Sequence, residues 1–281
     1  MDLAMSEDDN LIIACERDMT TPARHDLPQG RVVVFTRGWQ DPSPEVVDLR
    51  VNQDAFLVAS AGDERLMLAV ADGLGGHAGG EKASRAALET LAGHVQEAIT
   101  TGADLRDAIL NGFEAANTAV KDLRMDAGTT LAVVDIDGDT LRTYHAGDSA
   151  ILVVGQRGLV KLQTVAHSPV GYAVEAGILD EKEAMHHEDR HIVSNIIGTD
   201  TMRIEIGPIL KLGAKDTVLL ATDGLYDNLH TKEIVDTVRK GPLLKAAETL
   251  RSRIETRMIG EQAPTRPSKP DDLTYVLYRR T

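Results

Sequence analysis

Four short acidic motifs, spread over more than two hundred residues, restrict most strongly what this chain can fold into. Each places an aspartate at one end of an apolar, β-branched run; they are Asn52-Gln53-Asp54, Asp72-Gly73-Leu74-Gly75-Gly76-His77, Ala221-Thr222-Asp223-Gly224 and Asp271-Asp272-Leu273-Thr274. Such runs favour strands, and strand ends that converge at one edge of a sandwich bring their carboxylates together. Several carboxylates in one cleft repel one another unless a cation neutralises them, and hard divalent ions prefer oxygen ligands. Together the motifs predict a Mg²⁺ or Mn²⁺ site, although each aspartate alone is typical of a turn.

The composition narrows the class of protein. A hydrophobic share of 42% in 281 residues is enough for a large core, and an aromatic share of only 3% makes that core aliphatic. The net charge of −14 argues against nucleic acid as a partner, because phosphate backbones require clustered Lys and Arg. A single cysteine, Cys15, excludes an internal disulfide and favours a reducing compartment. Because the sequence also lacks a membrane-spanning run and a basic signal region, we expect a cytoplasmic monomer with no membrane partner.

Breakers and linkers suggest how the chain is divided. Residues 1–30 are polar and interrupted by proline and glycine, so we expect a partly disordered N-terminal extension that adds one strand or helix. Residues 31–281 contain no Gly/Ser-rich or Pro-rich divider and are expected to form a single catalytic domain. Within it, residues 165–200 form a long excursion between strands.

The hydrophobic periodicity predicts an α+β fold. Strands are predicted at 31–35, 54–60, 65–72, 130–136, 140–145, 150–154, 159–163, 203–209, 217–222 and 273–278. Helices are predicted at 80–100, 104–124, 231–239 and 242–258, with short helical stretches at 170–176 and 180–186. Strands in hairpins and helices in sequential pairs, without βαβ alternation, favour two antiparallel sheets with a helix pair on each outer face.

Five segments resemble, in order, the motifs of bacterial metal-dependent Ser/Thr protein phosphatases, the type 2C group. They are Asn52–Asp54, Val70–Ser84, His145–Ser149, Ala221–Asp227 and Asp271–Thr274. The resemblance covers about residues 33–280 and implies a four-layer α/β/β/α sandwich with a metal site at one end of the sheets. It also implies hydrolysis of phosphoserine and phosphothreonine on proteins by water that two Mn²⁺ or Mg²⁺ ions activate, with a third, weaker ion in bacterial relatives.

The resemblance also assigns metal ligands, which are Asp54, Asp72, Gly73, Asp148, Asp223 and Asp271. Asp72 would bridge the two ions, and Gly73 would contribute its backbone carbonyl. Asp54 would orient metal-bound water and so take part in catalysis. Asp148 matches the position that helps to hold the third ion, and it fits equally well a strand-end turn. Gln53 stands where the family often has Glu, which removes one negative charge from the surroundings of the second ion.

Two further residues are expected to take part in catalysis. His77 matches the loop histidine that is proposed to protonate the leaving serine or threonine alkoxide. Arg50 is the candidate phosphate clamp, because a guanidinium binds phosphate in a bidentate manner. Arg50 lies four residues before Asp54 where the family usually has five, so Arg37 or another residue is an alternative clamp. The glycine-rich loop lacks a following Gly-Lys-Ser/Thr, so it does not indicate nucleotide binding of the P-loop type.

Residues 165–200 resemble the flap segment of the family. Acidic flap residues favour phosphorylated proteins with basic residues near the phosphosite; they are Glu175, Glu181, Glu183, Glu188 and Asp189. The expected partners are therefore phosphoprotein substrates, a bacterial Ser/Thr kinase and its targets. Three nearby histidines are interpreted as flap surface and not as a zinc site; they are His186, His187 and His191. No cysteine accompanies them, and His186 and His187 would point in different directions on a helix.

Two other functions remain open at the level of sequence. A catalytically weak regulatory binding module on the same fold would be indicated by loss of a metal aspartate, and none is lost. A hydrolase of small phosphomonoesters would share the metal site and differ only in substrate choice. Cys15 lacks the surrounding signature of a cysteine phosphatase.

Overall fold

Residues 11–15, 17–41, 51–75, 79–259 and 267–280 are described by a computed structural model of the chain. Within these ranges two antiparallel sheets pack face to face, and helices cover both outer faces. The predicted four-layer α/β/β/α sandwich is therefore confirmed. None of the described helices is long and apolar enough to cross a membrane.

The first sheet carries the N-terminal acidic motifs. Its strand order is β1 (Leu11–Cys15), β4 (Asp54–Ala61), β5 (Arg65–Gly75), β7 (Leu131–Asp137), β8 (Thr140–Ala146) and β11 (Glu205–Ile206). Two short strands lie off this path, β6 (Ala127–Thr129) beside β5 and β12 (Leu210–Lys211) beside β8. The outer face of this sheet is covered by α1 (Gly80–Thr101) and α2 (Leu105–Asp122).

The second sheet carries the C-terminal acidic motifs. Its strand order is β10 (Val160–Gln163), β9 (Ala150–Val154), β13 (Thr217–Ala221), β14 (Leu273–Arg280), β3 (Gly30–Arg37) and β2 (Ala23–Leu27). The helices that pack on its outer face are α5 (Asp223–Tyr226), α6 (Thr231–Val238) and α7 (Leu243–Ile259). The flap contains α3 (Pro169–Glu175), α4 (Glu181–Met185) and a 3₁₀ turn (Glu188–His191).

Side-chain alternation along the central strands divides the apolar core into three layers. On β5, Met67 and Ala69 face the helices α1 and α2, whereas Leu68 faces the second sheet. On β14, Tyr275 packs against the helices of the other face and Val276 packs between the sheets. Because both faces of these strands are covered, their sequences are nearly continuous apolar runs, and this is why the central strands were predictable.

The described part of residues 1–30 corrects the expected domain boundary. β1 pairs with β4, and β2 pairs with β3, so two strands of this stretch belong to the sandwich and not to a separate extension. β2 was missed because its sequence, Ala-Arg-His-Asp-Leu, is polar, as suits a strand at the edge of the described sheet. Residues 1–10 and 16 lie outside the described residues.

The strand predicted at 203–209 was also wrong as a single element. The structure has β11 and β12 instead, and Gly207 and Pro208 separate them. The Gly207 N–H still donates to the Thr143 carbonyl of β8 at 2.8 Å, but proline has no N–H and cannot continue the ladder. The chain therefore contacts β8 in two short pieces.

The buried carboxyl group of Asp135 on β7 is expected to destabilise the fold at neutral pH, so its replacement should raise the stability there. Asp135 Oδ1 is buried without a hydrogen-bond partner, and burial raises the pKa of Asp135 to about 6. Because this pKa is higher in the folded than in the unfolded chain, the free energy of unfolding falls as pH rises from about 4 to about 6. We expect Asp135→Asn to raise the free energy of unfolding by up to about 3 kcal/mol at pH 7.5 and to leave it nearly unchanged at pH 4.

Urea unfolding at the two pH values measures this difference. Asp137→Asn is the matched control, because Asp137 lies on the same strand, is exposed and pairs with Arg65 at 3.5 Å. We expect that control to change stability by less than about 1 kcal/mol at both pH values. An Asp135→Asn gain of the same size at pH 4 and pH 7.5 would exclude titration as its cause.

Candidate active site

Two of the predicted metal ligands lie opposite each other on neighbouring strands of the first sheet. Asp54 is the first residue of β4, Asp72 lies on β5, and the two are direct partners in the antiparallel register. Thr130 fixes the backbone of Asp72: its Oγ1 accepts from the Asp72 N–H at 3.0 Å, and its N–H donates to the Asp72 carbonyl at 2.9 Å. The predicted β4–β5 pairing therefore brings both carboxyl groups to one end of the sheet.

A hydrogen bond between the sheets orients the Asp54 carboxylate. Asp54 is 1% exposed, and its Oδ2 accepts from Thr222 Oγ1 at 2.7 Å. Thr222 follows β13, and its N–H donates to the Thr274 carbonyl on β14 at 3.0 Å. Burial and then the charge of Asp272 raise the pKa of Asp54 well above its usual value, and the Thr222 hydrogen bond opposes this rise. Thr222, which sequence analysis gave no role, thus ties the two halves of the site together.

The second sheet contributes two more predicted ligands at the same end. β13 ends at Ala221 and β14 begins at Leu273, and these strands are antiparallel neighbours. Asp223 and Asp271 therefore lie close to each other. Burial and then the charge of Asp223 raise the pKa of Asp271 to about 7.

The carboxyl groups from the two sheets influence one another. Burial raises the pKa of Asp72 well above its usual value, and the charges of Asp54 and Asp223 raise it further. The charges of Asp271 and Asp148 act on Asp72 in the same direction. Such mutual repulsion is relieved by protonation or by a cation. The arrangement therefore brings the predicted aspartates into one region and gives that region a strong affinity for positive charge.

Asp148 fits both interpretations that the sequence left open. It follows β8 in a bend where Gly147 has φ +115°, and a Cβ on Gly147 would lie 2.6 Å from Thr130 side-chain atoms. A turn with a required glycine is therefore present. Burial and then the charges of Asp223 and Asp227 also raise the pKa of Asp148 to about 7. The turn thus directs a carboxyl group toward the same cluster.

Gly73 is needed for close packing of backbone segments. A Cβ on Gly73 would lie 2.0 Å from the Gly80 carbonyl oxygen and 2.7 Å from the Gln53 carbonyl oxygen. The Gly73 N–H donates to that Gln53 carbonyl at 3.1 Å. Gly73 therefore allows the start of α1 and the residue before β4 to pack closely against β5. Its role as a metal ligand through the carbonyl stays a prediction.

Asp272 positions two loops at the cluster, a role that sequence analysis did not assign. One of its carboxylate oxygens accepts from the Trp39 N–H at 2.8 Å, and the other accepts from the Gln53 N–H at 2.7 Å. Its own N–H donates to Asp271 Oδ1 at 2.9 Å. Asp272 therefore links the end of β3, the start of β4 and a predicted metal ligand. The doubled aspartate before β14 was the available sequence signal.

Lys269 and Asp227 are the other members of the cluster that sequence reasoning missed. The Lys269 ammonium contacts Asp223 and lies 3.0 Å from Asp227 Oδ2 and 3.0 Å from Asp271 Oδ2. Burial alone would lower the pKa of Lys269, but the charges of Asp223 and Asp227 outweigh this effect and raise it. Burial and then the charge of Asp223 raise the pKa of Asp227 to about 6. A fixed cation therefore stands among the carboxylates.

A cavity of about 490 Å³ separates the flap from the carboxylate cluster. Asp148, Asp223 and Asp227 line one side of it. The flap side includes an apolar wall, formed by Val165, Val170, Val174 and Met185. A phosphate near the cluster would therefore have an apolar space beside it that is large enough for a neighbouring side chain.

Two stacked imidazole rings fasten the start of the flap to β8. The ring centroids of His145 and His167 are 4.3 Å apart, with an interplanar angle of 19°. His167 Nδ1 accepts from the Gly147 N–H at 3.1 Å and from the Asn195 amide at 2.8 Å, so Nε2 carries the proton donated to Glu205 at 3.0 Å. Ligand atoms of His145, His167 and Glu205 lie within 4.8 Å of one another, but rings so nearly parallel do not direct their lone pairs at one ion. We interpret this group as a structural tie.

The flap histidines singled out from the sequence lie apart from the cluster. His186 and His191 are exposed, and His187 Nδ1 accepts from the Asp189 N–H at 3.1 Å at the start of the 3₁₀ turn. In the described part of the chain, none of the three belongs to a group of ligand atoms close enough for one metal ion. This agrees with their interpretation as flap surface.

The two predicted catalytic residues, Arg50 and His77, lie outside the described residues, and their roles remain predictions. The alternative clamp, Arg37, pairs with Glu255 of α7 at 3.1 Å on the outer helical side. Cys15 lies on β1 and packs against the apolar layer beneath α1 and α2. These positions give neither residue support as a participant in the chemistry.

Known proteins share both the sequence pattern and the fold. The sequence profile of the family described as Protein phosphatase 2C matches residues 47–258. Protein phosphatase PhpP of Streptococcus pneumoniae is 33% identical over 194 residues, which cover 66% of this chain and 78% of PhpP. The S. agalactiae serine/threonine phosphatase superposes with a TM-score of 0.71 at 26% identity, over 89% of this chain and 99% of that chain.

A third relative has been solved with metal ions bound. The catalytic domain of the serine/threonine protein phosphatase PstP, in complex with two manganese ions, superposes with a TM-score of 0.63. It is 24% identical, and the superposition covers 88% of this chain and 97% of that chain, so it supports the shared fold. With the family profile matching most of the sequence, the chain belongs to the protein phosphatase 2C family.

Proposed function

We propose that this protein is a metal-dependent phosphatase that hydrolyses phosphoserine and phosphothreonine on other proteins. The observation that carries the proposal is the cluster of aspartates that both sheets bring to one end of the sandwich. Family membership and the phosphatases named among the relatives support the same activity.

The donor set fits Mn²⁺ or Mg²⁺. Carboxylate and carbonyl oxygens are the ligands these ions prefer. Burial and then mutual repulsion raise the pKa values of Asp72, Asp148 and Asp271, and a bound cation would oppose this rise. The residues that would hold two ions are Asp54, Asp72, Gly73, Asp223 and Asp271, with Asp148 beside them. Two such ions, when bound, lower the pKa of water and neutralise the phosphoryl oxygens.

The protein would contribute orientation and proton transfer. Thr222 and Thr130 hold Asp54 and Asp72 before any substrate binds, so little rearrangement is needed for the reaction. His77 would protonate the leaving alkoxide, which leaves poorly without a proton. Arg50 would hold the phosphate through a bidentate contact.

Phosphoproteins are the substrate class that suits the surroundings of the cluster. The apolar flap wall of the 490 Å³ cavity offers a surface for a side chain next to the phosphorylated residue, and a small phosphomonoester has no such side chain. A bacterial Ser/Thr kinase and its targets are therefore the proposed partners. All five metal aspartates are present and described, so the non-catalytic binding module loses support.

Phosphate release from two kinds of substrate tests this function. With Mn²⁺ present, we expect kcat/KM for a phosphothreonine peptide to exceed that for free phosphothreonine by at least about tenfold, because only the peptide reaches the flap. Equal values would favour a hydrolase of small phosphomonoesters. No release from either substrate would contradict phosphatase activity altogether.

Charge on the flap should affect the choice of peptide. Glu181 accepts a hydrogen bond from the Thr231 N–H, and Glu183 forms a capping box with Asp180, so substitution of either would disturb structure. Glu175 and Glu188 are exposed and make no such bond among the described residues. We expect Glu175→Lys combined with Glu188→Lys to raise KM for a basic phosphopeptide by about threefold to tenfold through lost charge complementarity.

Steady-state kinetics with the basic phosphopeptide and with p-nitrophenyl phosphate measure this effect. Glu97→Lys, an exposed position on α1, is the matched control and should leave both substrates unchanged. A similar loss with both substrates would show that the flap serves catalysis and not substrate choice.

A further inference from the structure

The Lys269 side chain is fully engaged by the carboxylate cluster. An ammonium group has three N–H donors, and Asp223, Asp227 and Asp271 each present one oxygen, Oδ2, to it. The Lys269 side chain is 21% exposed, so most of it is removed from water. Each donor therefore has an anionic acceptor, which is the condition under which burial of an ammonium is tolerated.

The position of Lys269 is built into the fold. Its N–H donates to Asn228 Oδ1 at 2.9 Å, and its carbonyl accepts from Asn228 Nδ2 at 2.8 Å. Asn228 is completely buried, and its Nδ2 also donates to the Gly224 carbonyl of α5 at 2.9 Å. Because α5 begins at Asp223, the same contacts fix both the lysine and one of its carboxylate partners. A surface lysine on a mobile loop has no comparable support.

The ammonium stands on the side of the cluster where a further divalent ion would be held. Asp148 is the residue that the family resemblance associates with a third ion, and it lines the same cavity as Asp223 and Asp227, both of which pair with Lys269. Asp227, which has no assigned role in metal binding, faces both Lys269 and Asp223. The Lys269 charge repels a third cation beside Asp148, and it already uses one oxygen of Asp223 and one of Asp227 that such an ion would need.

We propose that Lys269 is an internal cation that replaces a third divalent ion and limits this protein to two. The inference rests on the metal site of the proposed function and adds a determinant of how many ions that site holds. Lys269 takes one oxygen, Oδ2, from each of Asp223, Asp227 and Asp271. The other carboxylate oxygen of Asp223 and of Asp271 stays available to the two divalent ions, which Asp54 and Asp72 would also hold. Lys269 also holds its three carboxylate partners together when the protein is free of metal.

Titration of the metal-free full chain with Mn²⁺ tests the inference without measuring activity. Calorimetry and the electron paramagnetic resonance signal of free Mn²⁺ give the number of bound ions and their dissociation constants. We expect two ions for the wild type and three for Lys269→Met, the third with a dissociation constant at least about tenfold lower than any weak binding by the wild type. In EDTA, we expect Lys269→Met to melt at a lower temperature than the wild type and to gain more from Mn²⁺.

Lys161→Met is the matched control. The Lys161 side chain is 27% exposed, pairs with Asp216 at 2.5 Å and lies at the opposite end of β13 from the cluster. The Lys161→Met variant should bind two Mn²⁺ ions. The Lys269→Arg variant should also bind two, because it keeps the positive charge. Lys269→Gln, which keeps a hydrogen-bond donor, is expected to bind three ions and decides the question if Lys269→Met does not fold.

The outcomes separate the inference from the proposed function. If the wild type, Lys269→Met and Lys269→Gln all bind two Mn²⁺ ions with the same affinity, Lys269 is not an internal cation. The proposed phosphatase function would be unaffected by that result. Three ions in the wild type would also overturn the internal-cation role. An absence of Mn²⁺ binding in the wild type and in both variants would overturn the proposed function and the inference together.

Discussion

Asp72→Asn is expected to abolish phosphate release from a phosphothreonine peptide in the presence of Mn²⁺. Loss of a residue that only supports a metal ligand costs about 10–100-fold, so loss of a central ligand should cost more, about 10³-fold or beyond. The fold should survive, because the backbone bonds between Asp72 and Thr130 remain. Substitution also removes one of several mutually repelling charges, so the metal-free protein should not melt at a lower temperature.

Thr222→Val is the graded comparison for this variant. It keeps every carboxylate, but it removes the hydrogen bond to Asp54 Oδ2 and the one that Thr222 Oγ1 accepts from the Thr274 N–H at 3.1 Å. We expect a loss of about 10–100-fold. EDTA should abolish wild-type activity, and Mn²⁺ should restore it. More than a tenth of wild-type activity in Asp72→Asn, or full activity in EDTA, would contradict the proposed metal site.

His77→Ala is expected to slow hydrolysis of phosphothreonine peptides by about 10²–10⁴-fold while p-nitrophenyl phosphate loses less than about tenfold. A threonine alkoxide needs a proton as it leaves, whereas nitrophenolate is stable without one. The difference between the two substrates therefore reports proton donation and not a general loss of structure.

Steady-state kinetics with both substrates measure the His77 effect. His186→Ala is the control, because His186 is an exposed histidine of the flap and should leave both rates unchanged. Equal losses on both substrates would remove His77 from the role of general acid. A loss much larger for the phosphothreonine peptide than for p-nitrophenyl phosphate would assign His77 the role of general acid.

The elements that could be predicted from sequence are those whose signals are local. The apolar stripes of α1 and α2 repeat within a few residues, and the β7–β8 hairpin turns at Gly138, which has φ +58°. The proximity of Asp54 and Asp72 could also be predicted locally. Two antiparallel strands joined by a short turn place the start of the first strand opposite the end of the second. Strand direction and side-chain period are properties of short segments, so they can be read without knowing the rest of the chain.

The elements that were missed are decided by contacts with another strand and not by a local apolar pattern. β2 is polar and becomes a strand only because β3 offers it an edge, and β1 forms only beside β4. Gly207 and Pro208 interrupt a segment whose composition otherwise favours a strand. For these segments the contacts with another strand, and not the intrinsic preference of the residues, decide the conformation.

The sequence by itself determined that acidic strand ends would meet and need a cation. Only the tertiary structure decided which other groups complete the cluster. Lys269 contacts Asp223 across 46 residues of sequence, and Asp272 accepts from the Gln53 N–H across 219. Only one of the three partners of Lys269, Asp271, is close to it in sequence. The other two could not be predicted, because the energy of a charge depends on the charges and solvent around it after distant segments have packed. Most aspartates of the cluster could therefore be predicted from local motifs, whereas the Lys269 counter-ion could be identified only from the tertiary structure.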